Sequence, residues 1–225
     1  MSKIHVYFMP GMATSSLIFE RIQLPPDTFE IHLLEWLLPE KEETIENYAK
    51  RMAKNIKHDN VILVGVSFGG ILAQEMKPFV KPKKIIIISS VKSNVELPRR
   101  MKIAKTTKAY KLIPTKLFEN IALLAKFTFG SSIIKQRLKL YEKFLSVRDK
   151  SYLDWAIEQI INWKRTEIDP EIIHIHGDAD EVFPIKNIKK CILVKAGTHI
   201  MILTKYKWLN ENLPKIMLEE NNDLL

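Results

Sequence analysis

The chain of 225 residues holds a single cysteine, Cys191, so no disulfide can form within it. That suits a reducing compartment, and a cytoplasmic location is the expectation. No stretch approaches the roughly 18 apolar residues of a membrane-spanning helix, so no transmembrane segment is expected. The opening MSKIHVYFMPG runs straight into a strand pattern. It lacks a charged region followed by about 7–15 apolar residues, so no signal peptide is expected. Repeats and low-complexity linkers are missing. So are zinc-finger spacing, a basic zipper and an aromatic-glycine RNA motif, which argues against nucleic acid as a partner. Neither G-x-x-x-x-G-K-[ST] nor G-x-G-x-x-G occurs, so there is no phosphate loop. Glu75 and Glu181 have no neighbours at metal-ligand spacing. No metal and no organic cofactor are expected.

What is present is enough apolar sequence for a core. Hydrophobic residues make up 46% and charged residues 27%, which fits one domain, or one domain with a large insertion. The formal charge is +9, and it is unevenly spread. Residues 92–166 hold 17 Lys+Arg against 6 Asp+Glu, while the remainder holds 18 against 20. The basic character therefore belongs to one segment. It reads either as solvated helical faces or as a surface for anionic substrates or acidic lipid.

Continuous apolar runs at residues 3–9, 30–36, 60–66 and 84–89 read as strands buried on both faces. Between them, residues 15–22, 42–56 and 67–76 have helical spacing. From residue 91 to about 170 the strands stop, and the segment is divided by Pro98, Pro114 and Gly130. Three to five helices are expected there, the clearest over 151–165. Strands return at 172–176 and 191–195, and a helix over 199–218 follows. The alternation predicts a doubly wound α/β fold with a mostly parallel central sheet flanked by helices. A helical insertion interrupts it after the fourth strand. The expected division is core at 1–93 and 167–225, and insertion at 94–166.

Gly65-Val66-Ser67-Phe68-Gly69 matches G-x-S-x-G between a predicted strand and a predicted helix. The sharp turn admits only small residues two positions either side of the serine, here Gly65 and Gly69. It lifts the Ser67 hydroxyl clear of the backbone, and the Phe68 amide points toward the same spot, able to donate to a developing oxyanion. A nucleophilic serine needs a base. Of six histidines, His5, His32 and His174 sit inside strand patterns and His58 beside a loop, so they read as structural. His176 ends a strand and reads as structural in preference to site-lining. His199 follows the last strand, with freedom to reach a neighbour. The loop 177–184 offers two carboxylates to orient it. Asp180 is preferred, and Asp178 reads as capping the turn through local amides.

The order Ser67, Asp180, His199 resembles that of the α/β-hydrolase fold. The chain looks like a small bacterial α/β-fold hydrolase, esterase-like and with a helical cap. The likeness rests on the Met-Pro-Gly-Met loop after the first strand, the GVSFGG turn, IHGDADEVFP beside the family's H-G-x-x-D-x-x-x-P, and AGTHIM beside its G-G-H. It implies Ser67 as nucleophile, Asp180 as acid and His199 as base. It also implies an oxyanion hole from the amides of Phe68 and of Met12 or Gly11. Two positions depart from the pattern: Pro10 stands where the family has histidine, and Thr198 replaces a glycine. The first strand here corresponds to the family's third, so about six strands are expected.

The reading is a serine hydrolase acting on a small-molecule ester or thioester, an anionic one if Arg99, Arg100, Lys102, Lys105, Lys108 and Lys111 face the entrance. In the cap, Leu112, Ile113, Leu117, Phe118, Leu123, Leu124, Phe127 and Phe129 are candidates for an apolar pocket. Two rivals remain. One is an enzyme of the same fold with other chemistry, a carbon–carbon bond hydrolase or a lyase. The other is a non-catalytic module for acidic lipid or protein surfaces with a vestigial triad. Nothing in the sequence assigns an oligomeric state.

Overall fold

The computed structural model describes residues 3–113, 115 and 143–219. Six strands form one sheet: β1 (Ile4–Met9), β2 (Phe29–Leu33), β3 (Ile62–Val66), β4 (Lys84–Ile88), β5 (Ile173–Gly177) and β6 (Ile192–Val194). Their spatial order is β2-β1-β3-β4-β5-β6, and every neighbouring pair is parallel. Parallel neighbours need crossover connections. Here α1 (Ile45–Ala53) links β2 to β3, and α2 (Phe68–Val80) links β3 to β4. The excursion between β4 and β5 contains α3 (Arg99–Thr107) and α4 (Lys150–Asn162). After β6 come α5 (Met201–Thr204) and α6 (Tyr206–Leu218). The order reverses direction between β1 and β3, and in such sheets the crevice for a ligand opens at the carboxyl ends of those strands.

Alternate residues of each strand feed opposite layers. Tyr7, Met9, Leu63, Ile85 and Ile87 pack with α1, α2 and α4. Val6, Phe8, Val64, Ile86 and Ile88 pack with α5 and α6. This two-sided burial is why β3 and β4 read as unbroken apolar runs. Lys84 is the exception at the start of β4. Its buried ammonium donates to the carbonyls of Ile216, Met217 and Glu219 at 2.9, 3.2 and 2.6 Å, closing the end of α6.

The differences from the sequence reading have local causes. The helix expected over 67–76 continues to Val80 through Pro78. Proline removes the bond to the carbonyl four residues back, and Arg165 Nη2 reaches that Gln74 carbonyl at 3.3 Å. The helix expected over 199–218 is two helices, α5 and α6, separated at Lys205, and it leaves His199 in the preceding loop. The expected helix over 15–22 is one short 3₁₀ turn, Ser16–Phe19. Pro114, Gly130, Leu117, Phe118, Leu123, Leu124, Phe127 and Phe129 lie outside the described residues. Leu112 and Ile113 are exposed.

The connection from β2 to α1 is pinned by Tyr48, which is fully buried. Its hydroxyl donates to the Leu37 carbonyl and accepts from the Leu37 amide, both at 2.8 Å. Tyr48→Phe leaves both backbone groups without this partner. The expected loss is about 1–3 kcal/mol in urea unfolding, with no change in the slope of the transition.

Candidate active site

The junction of β3 and α2 has no room for side chains at two positions. A Cβ on Gly65 would stand 2.3 Å from the Gly69 carbonyl oxygen, and a Cβ on Gly69 would stand 2.4 Å from that of Pro10. Between them Ser67 adopts φ 51° and ψ −119°. A non-glycine residue held there carries strain on the order of 1–3 kcal/mol. The surroundings impose it. Ser67 N donates to Ile88 O at 2.9 Å, and its carbonyl accepts from Gly70 N at 2.9 Å and Ser90 Oγ at 2.7 Å.

Three side chains predicted from sequence meet at this point. His199 Nε2 lies 3.0 Å from Ser67 Oγ, and His199 Nδ1 lies 2.9 Å from Asp180 Oδ2. Asp180 is buried. Burial works to raise its pKa, but the bond and charge of His199 and the Phe183 amide outweigh it and hold the carboxyl below its ordinary 3.8. Ionised, it only accepts hydrogen bonds, so His199 Nδ1 carries the proton and Nε2 is left to accept from the Ser67 hydroxyl.

The expectation for Asp178 is corrected. Asp178 is exposed, and the local amides are bonded by its rival. Asp180 Oδ1 accepts from Val182 N at 2.8 Å and Phe183 N at 2.9 Å. A carboxylate folds back onto amides two and three residues ahead, and from 180 these are Val182 and Phe183. His176 lies fully buried beneath this turn. Its Nε2 donates to Phe183 O at 2.8 Å, and its Nδ1 accepts from His174 Nε2 at 3.0 Å. Burial pushes both imidazoles below their ordinary pKa, so each is neutral and passes one hydrogen bond onward.

Gly11 and Met12 line the same cavity as Ser67 and His199. The Gly11 carbonyl accepts from Thr14 N at 3.2 Å, Thr14 Oγ1 at 2.8 Å and Trp36 Nε1 at 3.0 Å. The Trp36 ring stacks on Phe68, centroids 5.1 Å apart at 11°. One indole thus ties the loop after β1 to the start of α2. Sequence reasoning missed Trp36 and Ser90, because nothing local shows what they will touch. The cavity has a volume of about 540 Å³ and is mostly apolar, with Ile18, Val66, Phe144, Leu145 and Ile202 among its walls. A second concavity of about 310 Å³ runs along residues 40–54. It holds paired charges such as Arg51 and Glu43 and, among the described residues, no hydroxyl or thiol side chain.

Glu75 accepts from Trp163 Nε1 and Arg165 Nε at 3.0 and 3.2 Å. Glu181 is exposed at the cavity rim. His5, His32 and His58 come together at the β1–β2 pair, with Glu30 beside His5 and His32.

No family model and no curated protein matches the chain. Solved structures do. It is similar to an esterase from Exiguobacterium antarcticum at 17% identity and TM-score 0.69, covering 97% of this chain and 93% of that one. It is similar to an enol-lactonase from Burkholderia xenovorans at 11% identity and TM-score 0.72, with the same coverages of 97% and 93%. A thermophilic esterase from Thermogutta terrifontis matches at 13% identity and TM-score 0.66, over 96% and 90%. At these identities the likeness establishes the fold, and the chain has the α/β-hydrolase fold.

Gly65→Ala forces backbone against backbone. It is expected to cost roughly 1–3 kcal/mol in urea unfolding. Lys207→Ala, at an exposed site on α6, should stay within about 0.5 kcal/mol.

Proposed function

We propose that the chain is a serine hydrolase that cleaves carboxylic esters or thioesters through an acyl-enzyme. One observation carries the reading. Ser67, His199 and Asp180 form a continuous hydrogen-bonded line, 3.0 and 2.9 Å, at the wall of a mostly apolar cavity. Ser67 Oγ gives its proton to His199 Nε2 and attacks the acyl carbonyl. Asp180 holds the imidazole and stabilises its cation. The amides of Phe68 and of Met12 or Gly11 receive the oxyanion. His199 returns the proton to the leaving alcohol or thiol, and water repeats the sequence on the acyl-enzyme. Gly65 and Gly69 serve as the spaces that make the turn. Lactones, as cyclic esters, fall within the same chemistry.

The core is assigned to 1–93 and 167–225 and the cap to 94–166. Phe144 and Leu145 support this, because they come from that insertion and line the cavity with Ser67. A small-molecule substrate follows from the cavity size. Among the described residues, none of the basic run of the cap lines it. Arg100 Nη2 donates to the carbonyls of Glu181 and Val182 at 2.7 and 2.8 Å, and Lys102 Nζ to Val95 O at 2.8 Å. Lys111 faces Glu158 at 3.7 Å. The apolar wall, with no described lysine or arginine in it, favours a neutral, apolar acyl group, and Arg100 is the member of the run bonded to two residues of that wall.

A fluorophosphonate probe should label the chain and fail on Ser67→Ala, with ester turnover falling by about 10⁴–10⁶. Asp180→Asn should lose about 10³–10⁴ in kcat, and Asp178→Asn far less. Parental turnover in Ser67→Ala would refute the acyl-enzyme.

Specificity gives a second measurement, kcat/KM for nitrophenyl butyrate and for an equally long ester ending in carboxylate. The neutral ester should be preferred at both 0.01 M and 0.15 M salt, where the Debye length is about 30 and 8 Å. A gain for the anionic ester confined to low salt would show that the cap charges face the entrance.

A further inference from the structure

At the β2 edge of the sheet, His5 lies opposite Glu30 and Tyr7 opposite His32. Residues two apart on a strand share a face, so these four side chains form one patch. His58, from the loop before β3, covers it. Its ring stacks on His5 with centroids 3.6 Å apart and planes 8° apart. Three segments distant in sequence thus bring three imidazoles and a carboxylate together.

We propose that His5, His32, His58 and Glu30 form a binding site for a divalent transition-metal ion of the zinc type. His5 Nδ1 and His32 Nε2 are 3.0 Å apart. Glu30 Oε2 is 3.7 Å from the first and Oε1 is 3.7 Å from the second. Zinc bonds of about 2.0–2.1 Å in a tetrahedron place ligand atoms roughly 3.3 Å apart, and the three separations bracket that value. Hydrogen bonding among these groups accounts for one of the three, because 3.7 Å is too long for a hydrogen bond. A ring nitrogen from each histidine, His58 included, lies within 4.8 Å of the others.

The surrounding groups suit ligation. Tyr7 Oη is 2.7 Å from His58 Nδ1 and accepts from Lys57 N at 3.1 Å. It can hold Nδ1–H and leave Nε2 for the ion, the usual arrangement for a ligating histidine. Stacked rings aim their lone pairs in parallel planes. To share an ion with His5, His58 would have to leave this stack, which its place on the loop before β3 allows. None of the three histidines is fully buried, which leaves a path to solvent. Imidazole with one carboxylate selects zinc, copper or nickel over magnesium and calcium.

None of His5, His32, His58 and Glu30 lines the cavity at Ser67. At about 3.3 Å per residue, His5 is roughly 20 Å along the chain from Gly11. The ion would tie the edge strand β2 to β1 and to the loop that leads into β3. Its effect is on stability.

The test uses the tag-free full chain, stripped with chelator and titrated with Zn²⁺ by calorimetry, with metal counted after gel filtration. The expected result is one zinc per chain, and a Tm rise of roughly 5–10 °C at a hundredfold excess over Kd. His32→Ala and His58→Ala should each weaken binding more than about 100-fold, beyond the effect of losing an outer partner. His58 is on a loop, so its variant keeps the fold, and circular dichroism checks this. Co²⁺ should give the strong visible bands of a tetrahedral site, and Mg²⁺ should give no Tm shift. His199→Ala must leave zinc binding unchanged. Absence of stoichiometric zinc, parental affinity in His32→Ala and His58→Ala, or loss of zinc in His199→Ala would each overturn the proposal.

Discussion

The structure turns on a shortage of space where β3 meets α2. The backbone of Gly69 sits so close to Gly65 and to Pro10 that neither glycine has room for a methyl group. That closeness does two things. It forces Ser67 into its positive φ, and it presses the first turn of α2 against the exit of β1. The loop carrying Gly11 and Met12 is therefore beside Ser67 because of backbone packing. Trp36 locks the arrangement by lying on Phe68 while donating to Gly11.

A parallel sheet makes such convergence general. All six strands end on the same side, so the loops after β1, β3, β5 and β6 all emerge at one edge. Each has its own restraint. The loop after β5 is held by Asp180 from above, through two amides, and by His176 from below, through the Phe183 carbonyl. Both histidines of β5 are buried, among other buried polar groups that include Ser90, Lys92 and Glu96. Buried polar groups are costly unless bonded, and three of the four ring nitrogens are bonded in series toward the turn that positions Asp180. A polar chain inside the core thus serves the geometry of the site. Lys84 plays a comparable part at the far end of β4, where it closes the carbonyls at the end of α6.

Local physics made much of this readable in advance. The apolar runs of β3 and β4 needed no partner to declare themselves, since burial on both faces leaves an unalternating pattern. The small residues flanking Ser67 were legible for the same reason, as a turn that tight rejects side chains whatever surrounds it. Asp180 and His199 were harder. They stood out from Asp178 and from five other histidines through their place after strand ends and through likeness to a known order of motifs.

The sequence by itself determined the strands, their order along the chain and the tight turn at Ser67, because these follow from neighbours a few residues apart. Tertiary structure decided which side chains meet. His199 and Ser67 are 132 positions apart, and Arg165 repairs the Gln74 carbonyl freed by Pro78 from 91 positions away. His5, His32 and His58 looked unrelated one by one, and they became a cluster only when β2 took the edge beside β1. Strand order is set by which faces bury best in three dimensions. That choice leaves no local periodicity in the chain.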